Sequence, residues 1–325
     1  MFKQILRTTK KNEYGFIFHT VGFDTKNRTL RFLYENFILP FIMRKHGVDV
    51  LHSLGYTSPF FIPGKNIVTI YDLNWYYQKD SFSRINRLFW KFLVTFSARV
   101  ADVIITSSQA SRDSLIEVLN IPENKVLAFY PGYTKYSSVD KNIKSIVPEI
   151  EGEFILTVSS FLPHKNIMRL LEAFKYVSVA TNLQLVIVGS GGKYGEAVSE
   201  YLLKNYEKGR VVLTGWVSNE ELATLYKKAK AFVFVSLYEG FGFPVLEAFV
   251  YGTPVISSSC YSLKEVLGDA AEIVDPYSSE SISKGILKVV SSSTLSKKLV
   301  KKGHIQCKKF EWPAVSKELK RIYYA

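Results

Sequence analysis

Short apolar runs alternate with stretches of helical apolar spacing along most of this chain. Val48–Ser53, Asn66–Leu73, Val103–Ser108, Phe154–Val158, Leu185–Val188, Val211–Val217, Ala231–Val235, Val255–Ile256 and Ala271–Val274 are strand-length and lean towards β-branched residues. Between them, Ser111–Asn120, the Ile167, Leu170, Leu171, Phe174, Val177 series, Ser279–Val290 and Leu295–Lys309 carry helical spacing. Strand followed by helix, repeated, predicts an α/β protein with parallel sheets. Polar residues follow many of the predicted strands, and that rim is where open α/β sheets bind ligands. Met1–Lys11 reads as the tail of a basic helix and Tyr14–His19 as a strand. The stretch Thr134–Glu149 is polar, dotted with lysine and weakly patterned, so the hinge between two domains is placed there.

Composition narrows this picture. At 325 residues with 47% hydrophobic residues, the chain is long enough for two domains, each with its own core. No apolar stretch approaches membrane-spanning length, and the first residues lack a signal-peptide core, so a cytoplasmic protein is expected. The two cysteines, Cys260 and Cys307, have no partners at metal-ligand spacing and support neither a zinc site nor a disulfide framework. Net charge is +13, of which residues 1–150 contribute +8 and residues 151–325 contribute +5. A basic surface attracts polyanions, nucleic acid and anionic lipid alike. No aromatic-basic RNA motif or helix-turn-helix pattern backs the first. Two stretches, Arg28–Lys45 and Phe82–Val100, mix Arg and Lys with many aromatic residues. They fit helices lying in a membrane interface, and equally helices whose apolar face is core with basic residues outside.

The candidate chemistry centres on Ser236–Gly252. The apolar run Ala231–Val235 leads into Gly240 and Gly242, after which Pro244 suits a first helical turn and Gly252 a helix stop. Strand, glycine loop and helix aim backbone N–H groups and the positive end of a helix at the loop, a setting for a phosphate. Glu239 precedes the loop, and Glu247 lies one turn into the helix among apolar neighbours. A carboxylate accepts from two hydroxyls at once, so two glutamates flanking an anion site suit the diols of a ribose and a hexose, the parts of a nucleotide sugar. The plainer alternative makes Glu239 a solvated loop acid and Glu247 a surface residue.

The segment from Tyr238-Glu239-Gly240-Phe241-Gly242 through Glu247-Ala248, Gly252-Thr253-Pro254-Val255 and Glu265-Val266 to Gly268-Asp269-Ala270-Ala271 resembles the signature of retaining glycosyltransferases of family 4, which have the two-domain GT-B fold. The resemblance implies two Rossmann-like domains whose parallel sheets face across a cleft. It implies boundaries of 1–140 for an acceptor-side domain, 141–308 for a donor domain and 309–325 for a segment crossing back to the first. Relatives open with a strand and a glycine-rich loop; neither is found here, so a shortened amino-terminal domain is expected. Also by resemblance, Glu239 sits near the transferred sugar, Glu247 holds the ribose, and the backbone from Gly240 through Phe241 and Gly242 to Phe243 meets sugar and diphosphate.

Further site residues follow from the same resemblance. Lys165, at a strand-to-helix turn, is placed to meet the diphosphate, with a solvated loop lysine as the alternative; Ser160 and His164 stand where an arginine is expected. Asp72 matches a cleft-facing acid on the acceptor side, although Tyr71 replaces the usual histidine before it; His52 is the nearest imidazole in sequence. Gly191 belongs to a strand-and-glycine-loop signal that is weak alone, and Val217 to a segment whose main chain meets the base. Together these imply a metal-independent retaining hexosyltransferase without cofactor, with GDP-mannose as first donor and UDP-sugars behind it. The expected acceptor is a glycan or lipid-linked glycan of cell-surface polysaccharide synthesis. The expected location is cytoplasmic or peripheral at the inner membrane face, with an anionic membrane surface as a further partner and no nucleic acid. The rival readings are a catalytically impaired scaffold and a basic nucleic-acid-binding protein.

Overall fold

The computed structural model describes residues 6–11, 17–25, 27–78, 83–137 and 146–324. It divides into two compact units, Met1–Thr69 with Phe92–Ile104 and Ile70–Lys91 with Ile105–Ala325. Half of the predicted hinge, residues 138–145, lies outside the described residues.

In the first unit, β1 (Leu6–Lys11) pairs antiparallel with β2 (Ile17–Val21). This corrects the sequence expectation of a helix tail over residues 1–11 from Leu6 onward. Adjacent threonines at 8 and 9 are β-branched, and a strand across the way completes the backbone hydrogen bonds that an isolated basic turn would leave to water. Residues 1–5 and 14–16 of those expectations lie outside the described residues. Next come α1 (Arg28–Leu33), capped by the Asn27 side chain accepting from the Leu30 N–H at 3.1 Å, a π-helical turn Tyr34–Ile38, and α2 (Leu39–Lys45) with Pro40 in its first turn. β3 (Val50–Ser53) and β4 (Lys65–Thr69) pair in parallel, Val50 opposite Lys65 and Ser53 opposite Val68. Along β4, residues 66–69 are all buried, whereas every residue of β3 is only half-buried.

α3 (Asn74–Tyr77) lies in the second unit, and α4 (Arg84–Val100) and β5 (Val103–Thr106) each begin in one unit and end in the other. α5 (Gln109–Leu119) is capped by Ser108 and stops at Asn120, whose φ of 52° puts it in the left-handed region that asparagine tolerates. β6 (Val126–Ala128) follows.

The rest of the second unit is a six-stranded sheet in the order β12-β11-β10-β7-β8-β9, every described pairing parallel. Its strands are β7 (Phe154–Val158), β8 (Gln184–Val188), β9 (Val211–Gly215), β10 (Ala231–Phe234), β11 (Val255–Ser257) and β12 (Ala271–Ile273). The helices between them are α6 (Ile167–Ala180), α7 (Gly192–Asn205), α8 (Asn219–Lys228), α9 (Phe243–Tyr251) and α10 (Leu263–Leu267), and α11 (Ser279–Ser291) and α12 (Ser293–Cys307) follow β12. Successive residues alternate faces along a strand, and the core divides accordingly. Phe154, Leu156, Val186, Val188, Phe232 and Phe234 join Val245 and Phe249 of α9 on one face. Ile155, Leu185, Ile187 and Val233 join Leu170 and Phe174 of α6 and Ile286 of α11 on the other. Helices on both faces explain why these strands read as unbroken apolar runs. The closing helix α13 (Trp312–Tyr324) sets the Trp312 ring against Gly132, where an added Cβ would meet the indole at 2.5 Å.

Candidate functional site

The turns after β7 and β10 are tied together by backbone before any charge is considered. Leu237 donates its N–H to the His164 carbonyl at 2.7 Å, and the Asn166 side chain donates to the carbonyls of Val235 (3.1 Å) and Pro276 (2.7 Å). Asn166 sits at φ +61° between a 3₁₀ turn (Pro163–Lys165) and α6, an arrangement that aims the side chain before it at the neighbouring strand end. Lys165 thereby meets Glu239. Its ammonium donates to both carboxylate oxygens, at 2.7 and 2.9 Å, with the two side chains only 16% and 12% exposed. The Phe234 ring lies 5.7 Å from the same nitrogen, and a cation above an aromatic face adds to the pull on the lysine. An ion pair this sheltered from water is held far more firmly than a surface pair.

The loop that follows is pinned from several sides. The Ser262 hydroxyl donates to the Glu239 carbonyl at 2.6 Å, and the Ser107 hydroxyl reaches the Gly240 carbonyl at 2.8 Å. An added Cβ on Gly240 would lie 2.5 Å from Oδ2 of Asp72, so that carboxylate rests directly against the loop. Asp72 also accepts from the Asn74 N–H at 3.0 Å. Gly242, at φ +119°, turns the chain into α9 and gives that helix no side-chain cap, with Pro244 in its first turn. Phe241 is buried and stacks edge-on with Phe243, which is half-exposed at the mouth of the helix. One turn further, Glu247 accepts from the Tyr226 hydroxyl at 2.9 Å, and burial pushes its carboxyl above the usual range.

The sequence-derived residues therefore fall into three groups. Lys165, Glu239, Gly240, Phe241, Gly242, Phe243 and Asp72 converge on the loop before α9, with Glu247 on the helix that the loop opens. His164 is on the same turn as Lys165 but inward-facing, 4% exposed, its Nδ1 buried without a hydrogen-bond partner; burial first, and the Lys165 charge second, hold its pKa down to about 4. Ser160 is exposed on the turn after β7. Gly191 instead lines a groove of about 620 Å³ with Phe161, Ser190 and Gly215, whose described walls include none of Lys165, Glu239 or Glu247. Val217 is half-buried against the core beside Trp216, which is 81% exposed. His52 is held in the first unit by the Thr69 hydroxyl at 2.8 Å.

One sequence profile, described as glycosyl transferases group 1, matches residues 138–306, and a second, described as glycosyltransferase family 4, matches residues 6–134. The chain belongs to the group 1 glycosyltransferases. An O-antigen chain mannosyltransferase B from Escherichia coli is 30% identical over 65% of this glycosyltransferase and 58% of its own length. An O-antigen chain mannosyltransferase from Salmonella typhimurium is 31% identical over 64% of this chain and 56% of its own. The chain thus spans little more than half the length of these two relatives. An uncharacterized glycosyltransferase from Methanocaldococcus jannaschii is 25% identical over 97% of this chain and 86% of its own. Among solved structures, sucrose-phosphate synthase from Thermosynechococcus elongatus superposes with a TM-score of 0.74 at 21% identity, covering 88% of this chain and 75% of that one. Anabaena HepE, solved with UDP and glucose, gives 0.70 at 16% identity over 81% and 72%. The fold is GT-B.

Three structural contacts at the site of this glycosyltransferase are absent from the sequence reading. The Glu265 carboxylate accepts from the N–H groups of Gln109 and Ala110 at the start of α5 and from the Tyr130 hydroxyl, each at 2.8 Å. The Ser107–Gly240 bond ties down the loop itself, and the Tyr226–Glu247 bond ties down the helix that the loop opens. Glu265 carried a signal only as part of the family motif, and Tyr226 and Ser107 carried none. Among the described residues, no group of three or more His, Cys, Asp or Glu could hold a metal ion.

Proposed function

We propose that this group 1 glycosyltransferase is a retaining, metal-independent hexosyltransferase that uses a nucleotide diphosphate sugar. The observation that carries the reading is the Lys165–Glu239 pair beside the glycine loop, with Glu247 one turn along α9. An ammonium has three donors, so Lys165 can keep Glu239 and still face a diphosphate oxygen. Loop N–H groups would share that negative charge, and preorganised donors are worth most where charge develops in the transition state. Glu239 would bind hydroxyls of the transferred sugar and Glu247 those of the ribose. In the step itself the bond from the anomeric carbon to the β-phosphate oxygen breaks and the acceptor oxygen bonds on the same face. The acceptor proton passes to the departing phosphate, so no protein base is assigned. Asp72, against Gly240, is the acid on the acceptor side.

Similarity to O-antigen mannosyltransferases supports mannose as the transferred sugar. Our reading takes GDP-mannose as the first donor and a glycan or lipid-linked glycan at the inner membrane face as the acceptor, in cell-surface polysaccharide synthesis. A panel of GDP-, UDP- and dTDP-sugars tested by thermal shift decides it, since a ligand that binds the folded state raises the melting temperature. The largest rise is expected with GDP-mannose. A panel in which no nucleotide sugar stabilises the protein would overturn the reading.

A further inference from the structure

α4 carries four large apolar side chains that its own fold leaves in water. Ile85 is 80% exposed, Leu88 70%, Phe89 52% and Phe92 62%. Their spacing of three, one and three residues puts them on one stripe of a single continuous helix. This does not describe a core face: the buried positions of α4 are Val94, Ser97 and Ala98, further along. Contiguous exposed apolar surface of this kind marks a contact with something outside the chain.

The charges beside the stripe say what that is. Arg84, Arg87 and Lys91 follow spacings of three and four in a second row next to the first, Arg84 and Lys91 exposed and Arg87 half-buried between them, and α4 contains no Asp or Glu. Among the 325 residues basic side chains outnumber acidic ones by thirteen, so the wider charge pulls in the same direction. We propose that the amino-terminal half of α4 lies on an anionic lipid surface, with Ile85, Leu88, Phe89 and Phe92 in the acyl boundary and the basic row on the headgroups. An amphipathic helix with aromatic and aliphatic residues on one side and cations beside them is suited to lie in that plane. Anionic headgroups supply the attraction that the cations lack within the helix. A second copy of the chain is a poorer occupant, since stripe-to-stripe pairing gathers two like-charged rows at one interface. The inference goes beyond the donor chemistry and stands or falls independently of it.

Co-sedimentation of the whole protein with vesicles tests it, using phosphatidylcholine alone and phosphatidylcholine mixed with phosphatidylglycerol. The expected result is binding to the mixed vesicles only, weakened by salt. Leu88→Ser with Phe89→Ser, and separately Arg84→Gln with Lys91→Gln, should each cut vesicle partitioning about tenfold. All four positions are solvent-facing, so melting temperatures should hold. Absence of binding to the mixed vesicles, equal binding to both kinds, or binding unaffected by either double substitution would overturn the proposal. So would a concentration-dependent dimer abolished by Phe89→Ser in a protein that ignores lipid.

Discussion

Phe232 and Phe249 of the second unit are completely buried, whereas Phe37 and Phe41 of the first are 62% and 71% exposed, although both pairs come from strongly apolar stretches. The charges differ in the same sense. Lys165 and Glu239 are sheltered and bonded to each other, while Arg84 and Lys91, at the start of α4 and also in the second unit, are exposed beside apolar side chains. Periodicity says which residues share a face; it does not say whether that face has a neighbour. In the second unit a sheet supplies neighbours on both sides, so apolar runs become core and the polar residues at strand ends become a site. In the first unit, helices with similar composition keep part of their apolar surface outside.

The sharpest way to break this contrast is to remove charge on each side of it. Lys165→Ala and Glu239→Ala should each lower transfer by about 10³-fold, because each strips a preorganised group from the loop and leaves the other charge half-buried and unpaired. Arg84→Gln with Lys91→Gln should leave turnover on a water-soluble acceptor unchanged. Steady-state kinetics on the purified variants checks both halves, and near wild-type rates in both alanine variants would remove the site assignment.

Glycine substitution probes the backbone in the same two places. Gly242 sits at φ +119° and an added Cβ would lie 2.7 Å from Cδ2 of Leu263, whereas Gly47, at φ +60°, has nothing within 4 Å. Gly242→Ala should cost about 3 kcal/mol and Gly47→Ala about 1 kcal/mol, read from urea midpoints. Equal costs would mean that the loop before α9 is no more constrained than an open turn.

Glu247→Gln should weaken nucleotide-sugar binding about tenfold yet stabilise the protein near neutral pH. Burial raises the Glu247 carboxyl above its ordinary 4.5, so the folded state holds the proton more tightly than the unfolded chain. Stability from this group is therefore greatest below 4.5 and is lost as pH rises through the raised value. Glutamine does not titrate, so the variant should melt about 2 °C higher at pH 7 and lose that advantage in acid. A melting curve lowered at every pH would show instead that the Tyr226 hydroxyl needs a charged acceptor.

Much of this was legible in the sequence where local pattern and motif agree. The glycine loop, its strand and helix, Lys165 at its turn and the two glutamates all occupy short segments whose geometry follows from neighbours a few residues away. What was not legible depends on contacts between distant segments. Asp72 meets Gly240 across more than 160 residues of chain, and Glu265 collects three donors from a helix start and a tyrosine that no spacing connects to it. The strand at Leu6–Lys11 was missed for a related reason: it exists by pairing with Ile17–Val21, and its own six residues carry little alternation.

His164 offers the finest test, because it differs from its neighbour Lys165 only in which way it faces. Lys165 turns out to Glu239 and finds a counter-charge; His164 turns in, and a buried imidazole beside an ammonium resists a second positive charge. Its pKa of about 4, against an ordinary 6.5, means that the unfolded chain takes up a proton between those values while the folded one excludes it. The native state is fully favoured above 6.5 and loses stability as pH falls towards 4. His164→Phe keeps an aromatic ring and removes the titration. The gap in melting temperature between wild type and variant should then change by on the order of 3 °C from pH 6.5 to pH 4, with wild type losing ground. A gap that stays constant across that window would mean that His164 is protonated in the folded protein, and that the turn after β7 is open enough to hydrate it.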